Sequence, residues 1–266
     1  MPDVLLKALR DMRRGFGWWA LGLVGLVTMQ ISVYPSVRDD PGFSELTESY
    51  PDVLKELFGF GGSFDFTSPA GYLGVELFSL IVPLLLTIAA VATGAAAIAG
   101  EEDRGTLDLL LSLPLTRRRV AAEKLGAMAV EVAALGLVLL VTLWIGVQAI
   151  DMGLSLGHLA AVTLAAVLLA TGFGAIALFV GAATGSRGAA IGVSAALAVA
   201  AYLVNSLAAL VSQLETAQRF SPFYHYSAPD PLRNGFSGWH LSALLVVVVV
   251  ASAAALLAVD RRDLGT

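Results

Sequence analysis

The sequence predicts an all-helical membrane protein with six transmembrane helices, and three observations support that fold class. Hydrophobic residues make up 57% of the 266 residues, whereas charged residues make up only 14%. The apolar residues are concentrated in six long stretches, which charged or Gly- and Pro-rich segments separate. A helix of about 20 apolar residues crosses the hydrocarbon core of a bilayer with its backbone hydrogen bonds satisfied internally. A soluble chain of this length has no interior large enough to bury so much apolar surface.

The six predicted spans are almost free of charge. The second has none after Glu76, the third has Glu131 alone, and the last three have none. The first span has a basic flank but no small-residue cleavage site after Tyr34, so we expect a retained anchor rather than a signal peptide. Pro83 predicts a kink in the second span, because its ring clashes with the backbone one turn earlier. The spans cover approximately residues 15–34, 71–100, 125–150, 159–186, 188–214 and 241–259.

The distribution of Lys and Arg predicts that both termini are cytoplasmic. Of the 16 basic residues, 12 lie before span one, between spans two and three, between spans four and five, or after span six. Cytoplasmic segments carry such an excess of basic residues, whereas acidic residues contribute little to topology. The net charge of −5 is therefore compatible with this orientation. We expect a multi-pass protein of the cytoplasmic (plasma) membrane.

We expect one transmembrane domain over residues 1–266, with an amphipathic interface helix at its start. Within residues 1–14, Leu5, Leu9 and Met12 share one helical face, while the basic residues point elsewhere. Such a helix lies along the inner headgroup layer. A basic tail that only sets topology is the alternative, and the residues do not decide between the two.

Two long outer loops are predicted, at residues 35–70 and 213–240. In the first, Pro51 suits the first turn of a small helix, for which interfacial packing is favoured over contact with a substrate. In the second, three prolines exclude a continuous helix. A broken helix that re-enters the membrane is one option for this loop, provided that protein covers its backbone.

The cytoplasmic segment 100–124 has the most informative pattern. Thr106 suits the N-cap of a short helix, which Pro114 ends because the residue before a proline avoids helical geometry. Four residues recur at helical spacing and form one apolar stripe, and these are Leu107, Leu110, Leu111 and Pro114. Thr116 suits the N-cap of the next helix. An exposed apolar stripe needs cover, and the residues leave open whether the chain itself or the groove of a partner supplies it.

This segment resembles the pattern of ABC-2-type transporter permeases. The matching residues are Glu101, Glu102, Gly105, Thr106, Leu107, Leu109, Leu110, Leu113, Pro114, Arg117 and Lys124. The resemblance extends to six spans with both ends inside, to a Ser-Pro-Phe segment at 221–223 and to an Arg-Arg-Asp-Leu segment at 261–264. The long, acidic loop 35–70 departs from the pattern, because many compact members of the family lack it.

The resemblance implies an exporter permease that pairs with a second six-span subunit, identical or different, around a central path. Each subunit would dock a separate ATPase subunit through a coupling helix, here about Thr106 to Leu113. The residues implied in coupling are Glu101, Glu102, Gly105, Thr106, Leu107, Leu110, Leu111, Pro114 and Arg117. The loop before span six would form part of an outer gate. Candidates for that gate or for the substrate path are Glu131, Asn205, Pro222, Phe223 and Tyr224.

Several kinds of site are not expected in this chain. No G-x-x-x-x-G-K-[ST] run is present, so ATP and Mg²⁺ would bind the partner ATPase, and this chain would have neither a cofactor nor an enzymatic activity. Gly94 and the segment Gly172 to Gly174 lie in apolar spans, where small residues predict close helix packing. His158, His225 and His240 have no metal-ligand spacing, so no metal site is predicted. The arginines after the stripe fit the positive-inside bias, so no nucleic acid partner is predicted.

Glu131 keeps a second function open. A carboxylate within a span is costly, and it either reaches polar neighbours near the inner interface or couples transport to a proton or cation. The latter interpretation makes the chain a secondary transporter. A third interpretation is a membrane-embedded hydrolase, which needs a nucleophile that faces a base, and the spans contain serines and threonines without a matching base. The sequence does not name the cargo.

Overall fold

The computed structural model describes residues 4–38, 67–103, 105 and 116–261, which form helices and turns without a strand. Six helices in these ranges are long and apolar enough to cross a membrane. They are Val4–Arg38, Pro69–Ala97, Arg117–Ala149, Leu156–Thr184, Arg187–Leu207 and Gly238–Arg261, here called spans one to six. The all-helical, six-span prediction is therefore confirmed. The helix predicted at Pro51 and the coupling helix predicted at 106–113 lie outside the described residues.

The six spans alternate in direction, so the bundle has two different ends. One end contains Arg118, Arg119 and Lys124, and it is called the basic end. The opposite end contains Tyr34, Tyr72, Tyr224 and Tyr226, and it is called the aromatic end.

Span four forms the centre of the bundle and packs against spans two, three, five and six. Of the 18 consecutive residues that form the most apolar part of span four, 67% are buried, compared with 17% for span five. Its buried residues include Leu159, Leu169 and Phe173, interspersed with many alanines and glycines. Span one lies at the periphery and packs mainly against span three. Small side chains on span four let several helices approach it at once, which explains its central position.

Spans two and four cross with their backbones in contact. A Cβ atom added to Gly94 of span two would overlap the carbonyl oxygen of Gly174 in span four. A Cβ atom added to Gly174 would lie 2.6 Å from Sδ of Met128 and 3.0 Å from Cβ of Ala90. Both positions therefore require glycine for steric reasons. The close packing predicted for these glycines is confirmed.

Span two is interrupted near the aromatic end. An α-helical turn, Pro69–Leu73, leads into a π-helical turn, Gly74–Phe78, and the regular helix Ile81–Ala97 follows a break at Leu80. The ring of Pro83 meets the backbone one turn earlier, at Ser79, and this clash accounts for the position of the break. The kink predicted at Pro83 is thus confirmed, whereas the π-helical turn was not predicted.

Polar caps set the boundaries of several spans. Thr116 accepts a hydrogen bond from the amide of Arg119 (3.3 Å) at the start of span three, as predicted. Ser155 and Ser186 cap spans four and five in the same way. Gly185 ends span four in the left-handed conformation (φ +68°), which glycine adopts without steric cost.

Two boundaries differ from the prediction. Span one is continuous from Val4 to Arg38, so the stretch predicted as a separate amphipathic helix and the predicted first span form one helix. The helix of span five ends at Leu207 instead of continuing to residue 214. Gln218 donates a hydrogen bond to the carbonyl of Asn205 (3.1 Å), so a side chain from the following segment satisfies a carbonyl in the last turn. Hydropathy alone did not reveal this end, because the residues after Leu207 remain apolar.

Candidate functional site

The strongest polar contact at the basic end joins the two sides of the segment 104–115. Nζ of Lys124 in span three lies 2.6 Å from Oε1 of Glu101, which belongs to the short helix Ala99–Asp103 after span two. The two side chains are only 11% and 10% exposed. Because a buried ion pair has few alternative partners, this contact fixes the points at which the chain leaves span two and enters span three.

The described flank of the predicted coupling motif has a defined geometry. Gly105 is in the left-handed conformation (φ +67°), and its amide donates a hydrogen bond to the carbonyl of Glu102 (2.9 Å). A side chain at this position would be strained, which explains the glycine. Arg117 is the first residue of span three and is half-buried. The other coupling candidates lie outside the described residues and stay predictions; they are Thr106, Leu107, Leu110, Leu111 and Pro114.

The first two turns of span three also connect to spans one and six. Glu123 accepts hydrogen bonds from the side chain of Arg119 (2.8 Å) and from the backbone amide of Leu5 in span one (3.1 Å). Nε of Arg118 lies 3.3 Å from Oδ2 of Asp260, near the end of span six. The basic-end platform is defined here as these groups together with the buried pair, namely Glu101, Arg118, Arg119, Glu123, Lys124 and Asp260.

The ion pairs of the platform differ in how much they contribute to the stability of the fold. The pair of Arg118 with Asp260 is exposed, and exposed ion pairs contribute about 0–1 kcal/mol. The buried pair of Lys124 with Glu101 differs, because removal of one partner of a buried ion pair costs about 3–5 kcal/mol. The spacing of Arg119 and Glu123 is visible in the sequence. Asp260 and the Leu5 amide were missed, because no sequence pattern pairs the ends of distant helices.

Glu131 is buried in span three, with 7% of its surface exposed. Its Oε2 accepts a hydrogen bond from Oγ1 of Thr93 in span two (2.8 Å), next to the crossing at Gly94. It lies seven residues after Lys124, which is about 10 Å along a helix. No Lys or Arg in the described part of the chain forms an ion pair with it. The carboxyl group thus lies between spans two and three with a neutral partner.

Asn205 connects span five to the segment that follows it. Its side-chain amide donates to Oγ of Ser227 (3.3 Å), and its Oδ1 accepts from Gln218 (3.3 Å). Both hydrogen bonds join parts of this chain at the aromatic end. These hydrogen bonds connect span five to the loop before span six, and a place for Asn205 in the substrate path stays a prediction.

The loop before span six is helical and packs into the aromatic end. Ser221 caps the helix Pro222–Ser227 and donates a hydrogen bond to the carbonyl of Ala201 in span five (2.8 Å). Phe223 lies between two aromatic rings, those of Phe173 in span four (5.9 Å between centroids) and Tyr202 in span five (5.4 Å). The predicted gate residues Pro222, Phe223 and Tyr224 thus share one short helix that covers spans four and five.

Tyr226, on the same short helix, was not predicted. Its hydroxyl donates a hydrogen bond of 2.7 Å to the carbonyl of Phe78, at the end of the π-helical turn in span two. The ring is buried, and this burial raises the pKa of Tyr226 well above its usual value near 10. The neutral phenol therefore connects the loop before span six to span two over the whole physiological pH range.

A second polar group at the aromatic end joins spans one and two. Gln30 is buried, and its amide nitrogen donates to Oε2 of Glu76 in the π-helical turn (2.9 Å). The hydroxyl of Tyr72 donates to the carbonyl of Gln30 (2.9 Å), and the ring of Tyr34 lies against that of Tyr72. π-helical turns are frequent at functional sites. The sequence signalled only Glu76, because the other contacts depend on how the two helices pack.

The part of the chain that the structure describes contains no group of three or more His, Asp or Glu side chains placed to hold a metal ion. No curated protein matches the chain. The chain does match the family described as ABC-2 family transporter protein over residues 3–264. This match agrees with the resemblance found in the motif between spans two and three and with the six apolar helices. The chain therefore belongs to the ABC-2 family of transporter proteins, as a multi-pass membrane component.

Proposed function

We propose that this chain is the permease subunit of an ATP-driven exporter of the cytoplasmic membrane, and that it works as a dimer with two separate ATPase subunits. The basic end is the cytoplasmic face in this proposal, as the distribution of Lys and Arg predicts. The main support is the buried pair of Glu101 with Lys124, which anchors both ends of the coupling segment. A segment that transmits force needs such fixed ends.

Movement would pass from the ATPase to the spans through this anchored segment. ATP and Mg²⁺ bind the ATPase subunits, and closure of these subunits moves the docked segment. The pair of Glu101 with Lys124 carries this movement to spans two and three, and the rest of the basic-end platform carries it to spans one and six. The close crossing at Gly94 and Gly174 makes span four follow span two. The permease supplies a path and no covalent chemistry.

The second permease subunit would pack against span five, the least buried of the six spans. Four small residues lie on its exposed surface at four-residue spacing, and these are Gly188, Gly192, Ala196 and Ala200. Small residues at this spacing allow two membrane helices to approach closely. This surface suits a second copy of the chain or a similar partner.

The docking proposal is tested by copurification of the ATPase. We expect Leu110→Asp combined with Leu111→Asp to release the ATPase, because two charges replace the centre of the apolar stripe. The permease should remain inserted and folded, as size-exclusion chromatography would show. Leu109→Asp combined with Ser112→Asp is the matched control, because these positions lie on the other face of the predicted helix. Copurification that survives the first double change would refute the docking assignment.

A secondary transporter is the second candidate, and the position of Glu131 favours it. A buried carboxyl group at membrane depth with one neutral partner suits a proton-coupling site. This candidate predicts uptake into proteoliposomes that is driven by a pH gradient without the ATPase. Glu131→Gln would abolish that uptake. The proposed exporter instead requires ATP and its ATPase for any transport.

A further inference from the structure

The fold brings together two histidines that are 15 residues apart in the sequence. His225 lies on the short outer helix Pro222–Ser227, and His240 lies in the first turn of span six. Their Nδ1 atoms are 3.2 Å apart, and the two ring planes meet at 52°. The sequence spacing gave no metal pattern, because the two rings meet only when the short helix folds back on span six.

The hydrogen bonds of His225 define its tautomer. Its Nε2 lies 3.0 Å from the carbonyl oxygen of Arg219, which only accepts hydrogen bonds. Nε2 must therefore carry the proton, and in the neutral ring Nδ1 then has a free lone pair. This lone pair faces His240. Histidines that bind metal ions have the same arrangement, in which the other ring nitrogen donates to a backbone carbonyl and thereby orients the ring.

The separation of the two Nδ1 atoms matches that of two ligands on one ion. Zinc–nitrogen bonds of about 2.0–2.1 Å at a tetrahedral angle place two ligand nitrogens about 3.3 Å apart. The observed distance is 3.2 Å. Without an ion, Nδ1–H of His240 donates to Nδ1 of His225 across this distance. Binding of an ion requires that this proton move to Nε2 of His240, so that both rings stay neutral and both Nδ1 atoms coordinate.

A small cavity beside the two imidazoles offers space for about one solvent molecule. His225, His240 and Gly235 line a cavity of about 10 Å³, close to the volume that one water molecule needs. Asp230 and Arg233, which lie between the two histidines in the sequence, pair with each other at 3.6 Å. The ring of Tyr224 packs against both imidazoles. Imidazole nitrogens favour Zn²⁺, Cu²⁺ and Ni²⁺ over Mg²⁺ and Ca²⁺, which prefer oxygen ligands.

We propose that His225 and His240 form a binding site for one divalent transition-metal ion, with solvent as the remaining ligands. The bound ion clamps the outer helix Pro222–Ser227 to span six. The site depends on neither the ATPase nor the cargo, so its test is independent of the proposed function.

The test uses the full-length protein in nanodiscs, after removal of any polyhistidine tag. Isothermal titration with Zn²⁺ should show one bound ion per chain, and Mg²⁺ should give no heat of binding. Electron paramagnetic resonance of bound Cu²⁺ should show coupling to two nitrogens. His225→Ala and His240→Ala should each weaken Zn²⁺ binding by about tenfold or more. His158→Ala is the matched control. The ring of His158 lies near Gly235, and in the described part of the chain it forms no three-ligand metal site with His225 and His240.

Two further variants separate loss of a ligand from loss of the fold. His225→Gln keeps an N–H donor for the Arg219 carbonyl but is a poor metal ligand, so it should fold normally and bind Zn²⁺ as weakly as His225→Ala. His158→Gln should bind as the unmodified protein does. The proposal is overturned if the unmodified protein shows no Zn²⁺ binding or no nitrogen coupling to Cu²⁺. It is equally overturned if both His225→Gln and His240→Ala bind Zn²⁺ with unchanged affinity.

Discussion

Gly94→Ala provides the sharpest test of the fold, because the structure fixes what the added methyl group would meet. It would overlap the carbonyl oxygen of Gly174, which is backbone and cannot rotate away. Spans two and four would have to separate locally. Overpacking of this kind costs about 1–3 kcal/mol. Replacement of a helical glycine by alanine also stabilises a helix by about 1 kcal/mol, so the clash alone has to be isolated from that gain.

Gly25→Ala isolates the clash. Gly25 of span one is helical and exposed, and a Cβ atom added there has nothing within 4 Å. Both variants gain the same helix preference, so the difference between their free energies of unfolding reports the overlap, expected at about 1–3 kcal/mol. Gly146→Ala should fall between them, because its added Cβ atom would meet the flexible end of the Ile31 side chain, which can rotate.

The assay is reversible unfolding in mixed micelles, followed by circular dichroism, with thermal unfolding in nanodiscs as a check. The expected order of stability is Gly25→Ala, then Gly146→Ala, then Gly94→Ala. Equal stability of Gly94→Ala and Gly25→Ala would contradict the backbone contact between spans two and four. The proposed transmission of movement to span four would then lack its structural basis.

Three other predictions follow from the polar contacts. Lys124→Gln should lower the free energy of unfolding by about 3–5 kcal/mol, because it removes one partner of a buried ion pair; the exchange of Glu101→Lys with Lys124→Glu should restore part of this free energy, and no loss in the single variant would show that the pair does not stabilise the fold. Glu131→Gln should leave ATP-driven transport intact, because an amide still accepts the hydrogen bond from Thr93; loss of ATP-driven transport would mean that the carboxyl group itself is needed. Tyr226→Phe should lower the free energy of unfolding by about 1–3 kcal/mol, since the carbonyl of Phe78 loses the hydrogen bond from the phenol. Tyr224→Phe should change this free energy little. Because burial raises the pKa of Tyr226, its stabilising contribution is complete below the ordinary tyrosine pKa of about 10 and is lost as pH rises above it; this loss should be absent in Tyr226→Phe, as unfolding at pH 7 and at high pH would measure.

The features that the sequence predicted correctly depend on local properties. Six spans follow from hydropathy, the N-cap at Thr116 from the hydroxyl that precedes a helix, and the break in span two from the ring of Pro83. Close helix packing at Gly94 was predicted, but its partner Gly174 in span four was not. Small residues indicate that another helix approaches closely, but they do not show which helix it is. Local sequence properties thus predicted where the helices lie in the chain, but not which helices pack against each other.

The site contacts that were missed all join residues far apart in the chain. The pairing of Glu101 with Lys124 joins residues on either side of the segment between spans two and three, although both residues belong to the recognised motif. His225 and His240 meet only because the short helix Pro222–Ser227 packs against span six. The continuity of span one from Val4 was missed for a different reason. The basic residues before the apolar stretch predicted a separate helix along the membrane surface. In the structure the two stretches form one helix, whose first turn is bonded to span three through the amide of Leu5 and Glu123.

The distribution of these contacts bears on which part of the bundle moves in the proposed exporter. At the basic end, a buried ion pair joins spans two and three, and in the middle a backbone contact joins spans two and four. Span five is attached differently. Its aromatic end is bonded to the loop before span six through neutral hydrogen bonds, which join Asn205 to Ser227, Asn205 to Gln218 and Ser221 to Ala201. Such bonds contribute about 0.5–1.5 kcal/mol each, less than the cost of separating a buried ion pair. A force applied at the coupling segment therefore reaches spans two, three and four as one unit, and separation is easiest where span five and the outer loop meet that unit.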